Sequence, residues 1–548
     1  MKCSVVVVLL VSIVGLTRSA NILVILPTPA FSHQSFYRTY LLGLHSRGHN
    51  LTVATPNPIQ NPNMTGYREI DLNYAYAHLS EALVAAFGTS KLVRMNPEVY
   101  FLLATKVVDI LCNKILADDN LMSLYRNNEK FDLLVIEWGI NYCFYPFEKL
   151  SDGKLIGIAS YELGSLTHMS LGNPSNPAYV PDSAMDNTDR MSFPERVRMT
   201  LFYWFMSSVV IILRWHEYFI TKKYFGPDAP DIFETNKKVS LVFENSHPSM
   251  SYPRPWNVNL IPIGGPAFHL IGRKPGELPK GVSDFLRVSR RQDNDFHLCT
   301  PKYLSQFVAD IQTFMDDAED GVIYFSLGSN VKTGQGFDAE ELILIESFRR
   351  MKQRILWKWE NENLKVDLKN VKISKWFPQV EILAHPKTKA FVTQGGLQSI
   401  SEAIEYKVPM IVMPFFADQG HNAVKMESVG VAISLDFGTL TSDEFARAMT
   451  DIVYNSTYKE NIIKFKELVN DQPMPTLEKA VWWTEYVIRH NGAPHLRSVA
   501  ATMPWYKYLL LDVVLFLLIV SLIFFYIIYT VLGFAYRLMC KRRKTKKD

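Results

Sequence analysis

Residues 391–419 (FVTQGGLQSISEAIEYKVPMIVMPFFADQ) hold the densest group of residues in this 548-residue chain that suits a charged ligand. A predicted strand ends at Thr393, the pair Gly395 and Gly396 follows, and a helix is predicted to begin at or just after Leu397. A glycine-rich turn from a strand into a helix presents unpaired N–H groups and the positive end of the helix dipole. This arrangement predicts a site for a diphosphate.

Three polar residues further along the same segment could bind hydroxyl groups. Glu402 lies about one turn into the predicted helix, where its carboxylate could accept hydrogen bonds from a ribose. Asp418 and Gln419 end a loop that follows the next predicted strand, and a carboxylate beside an amide can hold the hydroxyls of a sugar. A double glycine alone would be weak support, but the ordered set is specific.

One histidine stands where a general base would be useful. His33 lies in a predicted loop, residues 27–35, that follows the continuous apolar strand 21–26. Ligands of open α/β sheets bind at the carboxyl ends of the strands. An imidazole titrates near neutral pH and can accept the proton of an attacking hydroxyl, which is worth about 10²–10⁴-fold in rate. Taken alone, a histidine in a loop is more often a surface or structural residue than a catalytic one.

Two series of strands and helices must position these residues. Apolar, β-branched runs predict strands buried on both faces, as in parallel sheets. They lie at residues 21–26, 50–55, 131–137, 155–160, 239–245 and 259–263, and then at 321–326, 355–359, 371–374, 390–393, 410–413 and 431–434. The predicted fold class is α/β, with two Rossmann-like domains facing a crevice. We predict an N-terminal domain at residues 20–271, a polar linker at 272–301 and a C-terminal domain at 302–500.

Both ends of the chain indicate a membrane protein of the secretory pathway. Residues 1–19 combine a lysine, an apolar run and small residues, which is typical of a signal peptide. A transmembrane helix is predicted at residues 508–536, because residues 513–536 carry no charge and would span ~36 Å as a helix. Aromatic residues before this helix and the basic tail 537–548 after it place the tail in the cytosol. The prediction is a single-pass type I protein.

Shorter signals refine this location. Residues 544–548 (KTKKD) resemble a dilysine signal for return to the endoplasmic reticulum, with a plain stop-transfer cluster as the alternative. Glycosylation sequons at Asn50, Asn63 and Asn455 agree with a lumenal body. The apolar stretch 199–213 is too short to span a bilayer, so it is either a buried helix or one that dips into the membrane surface.

Charge and cysteine content exclude other classes of protein. The net charge is +4, but residues 541–548 contribute six basic side chains and one acidic one, so the remainder is close to neutral. A nucleic-acid-binding protein would need a basic stripe on its folded body, so the near-neutral remainder argues against nucleic-acid binding.

Cys112, Cys143 and Cys299 lack zinc-ligand spacing, and one disulfide among them would leave an odd thiol. Residues 293–295 (DND) lie in the polar linker, and we predict no metal site there.

Segment 391–419 closely resembles the signature of the UDP-glycosyltransferase family, which includes the animal glucuronosyltransferases. The resemblance extends over nearly the whole chain, from signal peptide to basic tail. It implies the GT-B fold and an inverting, metal-independent transfer, with the UDP-sugar as co-substrate and no further cofactor. By position, it implies diphosphate contacts at Ser329, Gln394, Gly396, Gln398, Ser399 and, more weakly, Arg254. It implies nucleoside and sugar contacts at Trp376 (uracil), Gln379 (nucleoside), Glu402 (ribose), Asp418 and Gln419 (sugar).

The chain departs from the family pattern at three positions. Gln394 stands where vertebrate and plant members usually have histidine, and Gln398 stands where asparagine is usual. An amide donates but cannot carry a positive charge. The family places its catalytic histidine in the loop of His33, and its partner is usually aspartate where this chain has Glu137. Either carboxylate could orient the imidazole.

Gln394 resembles the arthropod members of the family, which generally use UDP-glucose. The resemblance therefore implies transfer of a hexose, with glucose favoured, to hydroxyl groups of small lipophilic acceptors, as in detoxification. A glucuronosyltransferase is the alternative within the family. A non-catalytic, UDP-sugar-binding membrane partner is the alternative of another class, and the presence of His33 and Glu137 argues against it. Segments 71–93 and 161–192, interpreted as acceptor loops, leave the acceptor open, and a homo-oligomer also stays open.

Overall fold

The computed structural model describes residues 19–87, 96–139, 141–265, 268–271, 301–329, 331, 337–361, 364 and 366–544. The predicted signal peptide up to residue 18, residues 293–295 and Cys299 lie outside the described residues. The chain forms two compact units, residues 1–497 and residues 498–548.

Within the described residues, seven parallel strands form the first sheet, in the order β3-β2-β1-β4-β5-β6-β7. The strands are β1 Asn21–Ile25, β2 Asn50–Thr55, β3 Tyr67–Asp71, β4 Leu133–Glu137, β5 Leu155–Ala159, β6 Leu241–Glu244 and β7 Leu260–Pro262. The six predicted strands are present, whereas β3 was not predicted. Its sequence, YREID, is largely polar because β3 is an edge strand that is mostly accessible to solvent, so it lacks the apolar run of a central strand.

The second sheet has six parallel strands within the described residues, in the order β10-β9-β8-β11-β12-β13. These are β8 Val322–Ser326, β9 Arg354–Lys358, β10 Val371–Ser374, β11 Thr388–Thr393, β12 Met410–Val412 and β13 Ala432–Ser434. All six were predicted to within about two residues. The two parallel sheets confirm the predicted α/β, Rossmann-type class.

Helices connect the strands. In the first half of the chain they are α1 Phe31–Ser46, α2 Ala75–Phe87, α3 Pro97–Ile115, α4 Asp119–Arg126, α5 Ser165–Ser170, α6 Phe193–Phe225 and α7 Ile232–Lys238. In the second half they are α8 Pro301–Asp316, α9 Asp338–Arg349, α10 Gln379–Ala384, α11 Leu397–Glu405, α12 Gln419–Ser428, α13 Ser442–Tyr454, α14 Ser456–Asn470 and α15 Thr476–Arg489. Short 3-10 turns include Tyr142–Ser151 and Phe268–Leu270. Helix α2 occupies much of the segment 71–93 that was interpreted as a loop.

Apolar side chains cover both faces of each sheet. Helix α15, which the prediction assigned to the C-terminal domain, instead joins the core of the first sheet through Ala480, Val481 and Val487. Its Thr484 also forms a 2.8 Å hydrogen bond with the hydroxyl of Tyr40 in α1. The chain therefore returns to its first half before the second unit begins, which periodicity along the sequence does not reveal.

Helix α6 contains the apolar stretch 199–213, for which a buried helix and a helix at the membrane surface were the predicted alternatives. The helix is only partly buried. Met199, Phe202 and Leu213 are buried, whereas Trp204 and Ile212 are 61% and 57% exposed. One side of the helix is packed and another side is apolar and open. The helix is also long and apolar enough to cross a membrane, by length and composition only.

One disulfide joins Cys112 in α3 to Cys143 in the turn Tyr142–Ser151. Glu217 lies close to both sulfur atoms. Because the two cysteines are bonded to each other, this cluster offers no thiolate ligands to a metal.

The second unit is helical in its described part. Helix α16 spans Trp505–Tyr508 and α17 spans Leu511–Lys544. Residues Leu511–Met539 are long and apolar enough to cross a membrane, by length and composition. The predicted start at residue 508 shifts to Leu511, because Leu510 adopts a left-handed conformation with φ of 54°.

Candidate active site

His33 lies in the first turn of α1 and not in the predicted loop. Pro27 and Pro29 disfavour a helical conformation at the residues before them, Leu26 and Thr28. Ala30 is also extended, with φ and ψ of −133° and 116°. The helix then begins at Phe31 without a side-chain cap. The prediction of a loop through residue 35 was wrong because FSHQS lacks both a capping residue and a clear apolar period.

A network of hydrogen bonds fixes the imidazole of His33. Its Nδ1 lies 3.1 Å from Oε1 of Glu137, at the carboxyl end of β4. The Tyr37 hydroxyl donates to the same oxygen at 2.9 Å, and the backbone N–H of Thr28 donates to Oε2 at 3.1 Å. Glu137 is 2% exposed, so these three groups replace its water. The longer glutamate therefore reaches the position needed to orient the imidazole, which leaves Nε2 to accept a proton.

Burial keeps Tyr37 in its donating form. The pKa of its hydroxyl is well above the ordinary value, first because the side chain is buried and second because the Glu137 carboxylate is adjacent. A phenol that stays protonated can only assist by donating to Glu137. This arrangement holds the carboxylate and, through it, the ring of His33.

The glycine-rich turn after β11 has the predicted form. Gly395 adopts φ of +89°, and a Cβ there would lie 2.7 Å from Val412 Cγ1, so only glycine fits. Helix α11 begins at Leu397, and its N-cap Gly396 supplies no side-chain hydrogen bond. The first N–H groups of the helix are thus available to an anion.

Gln394 packs against the turn that follows β8. A Cβ on Gly328 would lie 2.1 Å from Gln394 Nε2, and Gly328 has a φ of +75°. Ser329 follows Gly328 in this turn, so the Gln394 amide lies close to the turn that contains Ser329. Lys358, at the end of β9, donates from Nζ to the Gly328 carbonyl at 2.6 Å. Burial lowers the pKa of this lysine. Lys358 was not predicted, although its position at the carboxyl end of a strand could have indicated it.

Gln379 and Glu402, assigned to the nucleoside and its ribose, are hydrogen-bonded to each other, and Gln379 also bonds to Ser399, assigned to the diphosphate. Gln379 Nε2 donates to Ser399 Oγ at 3.1 Å and to Glu402 Oε2 at 2.7 Å. The other oxygen of Glu402 lies 2.8 Å from His269 Nε2. His269 was not predicted, because no motif or period distinguishes it in the sequence.

The pair at the end of segment 391–419 is partly engaged by protein groups. Gln419 Oε1 accepts from the N–H groups of Phe415 and Phe416 at 2.9 and 3.2 Å. Its Nε2 atom is thereby oriented by its own loop. Asp418 Oδ2 accepts from Asn422 Nδ2 at 3.0 Å, and burial raises the pKa of this carboxyl.

Arg254 stands apart from the other predicted residues. Its guanidinium is 2% exposed and donates to the Glu162 carboxylate. Glu162 lines the cavity that also contains the residues predicted to bind the donor, but Arg254 does not line this cavity. The structure therefore does not bring this weaker phosphate candidate to the diphosphate region.

One cavity of about 1620 Å³ is lined by all the other predicted residues except Glu137, which contacts it through His33. Its lining includes His33, Ser329, Trp376, Gln379, Gln394, Gly396, Gln398, Ser399, Glu402, Asp418 and Gln419. Apolar side chains of α3 and α6, among them Phe101, Val108, Met206, Val209 and Leu213, line another part. Polar groups suited to a nucleotide and an apolar wall thus share one cavity with His33.

Comparison with known proteins agrees with this geometry. The family described as "UDP-glucoronosyl and UDP-glucosyl transferase" matches residues 20–292 and 293–547. UDP-glucosyltransferase 2 of Dactylopius coccus is 33% identical, over 93% of this chain and 92% of that protein. Human UDP-glucuronosyltransferase 2B15 is 28% identical, over 94% of each.

A solved structure shares the fold. A UDP-glucosyltransferase from Polygonum tinctorium, described as capable of glucosylating indoxyl and solved in complex with 3,4-dichloroaniline, superposes with a TM-score of 0.52. It is 14% identical, and the match covers 86% of this chain and 99% of that one. The fold is GT-B, and the chain belongs to the UDP-glycosyltransferase family, whose members transfer a sugar from a UDP-sugar to an acceptor.

Proposed function

We propose that this enzyme transfers glucose from UDP-glucose to hydroxyl groups of small lipophilic acceptors, with inversion at the anomeric carbon. The observation that carries the proposal is the shared cavity, in which His33, held by Glu137, lies together with the residues assigned to the donor. A glucuronosyltransferase that uses UDP-glucuronate is the alternative donor choice.

The reaction is a single displacement. His33 Nε2 takes the proton of the acceptor hydroxyl while its oxygen forms a bond to the anomeric carbon. The bond from that carbon to the UDP oxygen breaks, and UDP leaves with the bonding electrons. Glu137 stabilises the imidazolium that forms. The N-terminus of α11 and the amide of Gln394 face the negative charge that develops on the diphosphate.

Two observations favour glucose. Gln394 stands where histidine is usual, so this position adds no positive charge to the donor site. A relative at 33% identity bears the name UDP-glucosyltransferase 2. Asp418 and Gln419 are proposed to receive the hydroxyls of the hexose.

The apolar wall supports a lipophilic acceptor. Met206, Val209 and Leu213 of α6 line the cavity on one side, and Phe101 and Val108 of α3 add to it. A ligand without many polar groups is stabilised there by removal of apolar surface from water. Detoxification of phenols and alcohols is the physiological role that we propose.

We also propose that the enzyme is a glycoprotein of the endoplasmic reticulum membrane with its catalytic body in the lumen. The predicted signal peptide, the apolar helix α17 and the dilysine-like tail support this topology. The Cys112–Cys143 disulfide is typical of an oxidising compartment. The sequon residues Asn50, Asn63 and Asn455 are exposed.

The test uses microsomes that contain the full-length protein. They are incubated with UDP-glucose, UDP-glucuronate or UDP-galactose and a panel of phenols, and products are identified by mass spectrometry and by the anomeric NMR coupling. We expect β-glucosides from the α-linked donor. Glucuronides without glucosides would overturn the donor proposal, and α-glucosides would overturn the inverting mechanism.

A variant pair tests the base. His33→Ala is expected to lower turnover by about 10²–10⁴-fold. His385→Ala removes a buried imidazole that pairs with Asp316 at 3.1 Å and lies outside the cavity, so it should leave turnover near that of the wild type. Full activity of His33→Ala would contradict the assignment.

A further inference from the structure

His269 makes a buried contact with the residue assigned to the ribose. It lies in the turn Phe268–Leu270, which follows strand β7 of the first sheet. Its Nε2 lies 2.8 Å from Oε1 of Glu402, in helix α11 of the second half. The carboxylate can only accept, so the imidazole is the donor. The two side chains are 7% and 11% exposed, and little water competes for the bond.

Glu402 is held at both of its oxygens. Oε1 receives His269, and Oε2 receives Gln379 Nε2 at 2.7 Å. Two donors on opposite oxygens fix the plane of the carboxylate. Each oxygen retains a lone pair, so the fixed carboxylate can accept two vicinal hydroxyl groups at once.

The turn that carries His269 also contacts the helix that carries the base. Phe268 is 3% exposed, and its ring centroid lies 4.7 Å from that of Phe36. Phe36 lies in α1, three residues after His33. The turn Phe268–Leu270 thus packs against helix α1, which carries His33, and it also forms a hydrogen bond with the Glu402 carboxylate.

We propose that His269 is a positioning residue that orients Glu402 to receive the 2′- and 3′-hydroxyls of the donor ribose. The inference rests on the uridine nucleotide chemistry of the proposed function. His269 thereby contributes to the preference for ribose over 2′-deoxyribose, because a carboxylate in another orientation cannot accept hydrogen bonds from both hydroxyls. The packing of Phe268 on Phe36 ties this carboxylate to the position of α1.

The experiment compares the binding of UDP and of 2′-deoxy-UDP to the full-length protein in detergent micelles, by calorimetry. The measured quantity is the ratio of the two dissociation constants. His269→Phe keeps a ring but loses the donor, and we expect the preference for UDP to fall on the order of ten-fold. Glu402→Ala should lose the same preference. His269→Gln places an amide N–H near the position of Nε2 and should retain most of it.

A matched control separates orientation from general stability. His385 is 8% exposed and pairs with a carboxylate, as His269 does, but it lies outside the cavity. His385→Ala should leave the ratio unchanged. If His269→Phe does not fold, His269→Asn, whose amide is too short to reach Glu402 in the same way, provides the comparison.

The outcomes are distinct. A wild-type ratio in His269→Phe would overturn the proposal, even if both affinities fell, because an equal loss indicates a merely structural role. A wild-type protein that binds neither nucleotide would overturn the proposed donor itself. A loss of preference in His269→Phe with retention in His269→Gln supports the positioning role.

Discussion

Gln398, in the first turn of α11, donates a hydrogen bond from Nε2 to the backbone carbonyl of Ser160 at 3.0 Å. The two residues are 238 positions apart in sequence, and Ser160 directly follows β5 of the first sheet. The same carbonyl accepts from Asn245 Nδ2 at 2.8 Å. A residue assigned to the diphosphate cradle therefore also joins the two halves of the active site.

Replacement of Gln398 by alanine is expected to weaken the binding of UDP by roughly ten-fold or less, because one hydrogen bond contributes about 0.5–1.5 kcal/mol. If the amide acts by holding the two halves together, uridine and UDP should lose similar factors of affinity. A loss confined to UDP would show instead that the amide serves the diphosphate. Gln312→Ala, which removes an exposed amide bonded to Asp316, is the control.

Replacement of Glu137 by glutamine should lower kcat by about 10²–10⁴-fold with a small change in KM for the donor. The amide can donate to His33 Nδ1, which favours the tautomer with the proton on Nε2 and removes the acceptor. Glu137→Asp keeps a carboxylate and should retain more activity than Glu137→Gln. Steady-state kinetics of both variants checks the order, and equal activity of the two would contradict the role of the charge.

His247 predicts a dependence of stability on pH. Burial, and then the charge of Lys479, lowers its pKa from 6.5 to about 4. Below pH 6.5 the unfolded chain binds a proton that the folded chain does not, so the free energy of unfolding falls as the pH falls from about 6.5 to 4. His247→Asn can still accept from the Ser249 N–H, as Nδ1 does at 3.2 Å, and should show a shallower fall. Denaturation in micelles between pH 4 and 7 measures both, and parallel curves would contradict the assignment.

The open side of α6 predicts contact with lipid. Trp204, Ile212 and Phe219 are 61%, 57% and 67% exposed, and aromatic residues on an apolar helix face favour the membrane interface. We expect a photoactivatable lipid in microsomes to label α6, and Ile212→Glu to reduce that labelling. Leu342→Glu, at a residue 70% exposed on α9, is the control and should leave it unchanged. Equal labelling of the wild type and Ile212→Glu would favour a protein partner for this side.

Much of the donor site follows from local sequence. Gly395 and Gly396 fix the turn before α11, since a side chain at Gly395 would meet Val412. Once a strand, a glycine turn and a helix are recognised, Glu402 must face the same end of the sheet. Central strands were also predictable, because burial on both faces requires continuous apolar runs.

The remaining features depend on contacts between segments that are distant in sequence. The edge strand β3 and the helical start at Phe31 carry weak local patterns, so neighbouring elements decide them. His269 acquires a role only because the turn after β7 meets α11, and Gln398 meets Ser160 for the same reason. The diphosphate, ribose and sugar contacts from Gln394 to Gln419 could be predicted from the sequence because they lie in one continuous segment, whereas Ser329, Trp376 and Gln379 come from other segments. How His33, the apolar wall and the predicted donor residues come to line one cavity depends on the fold, because each comes from a different part of the chain.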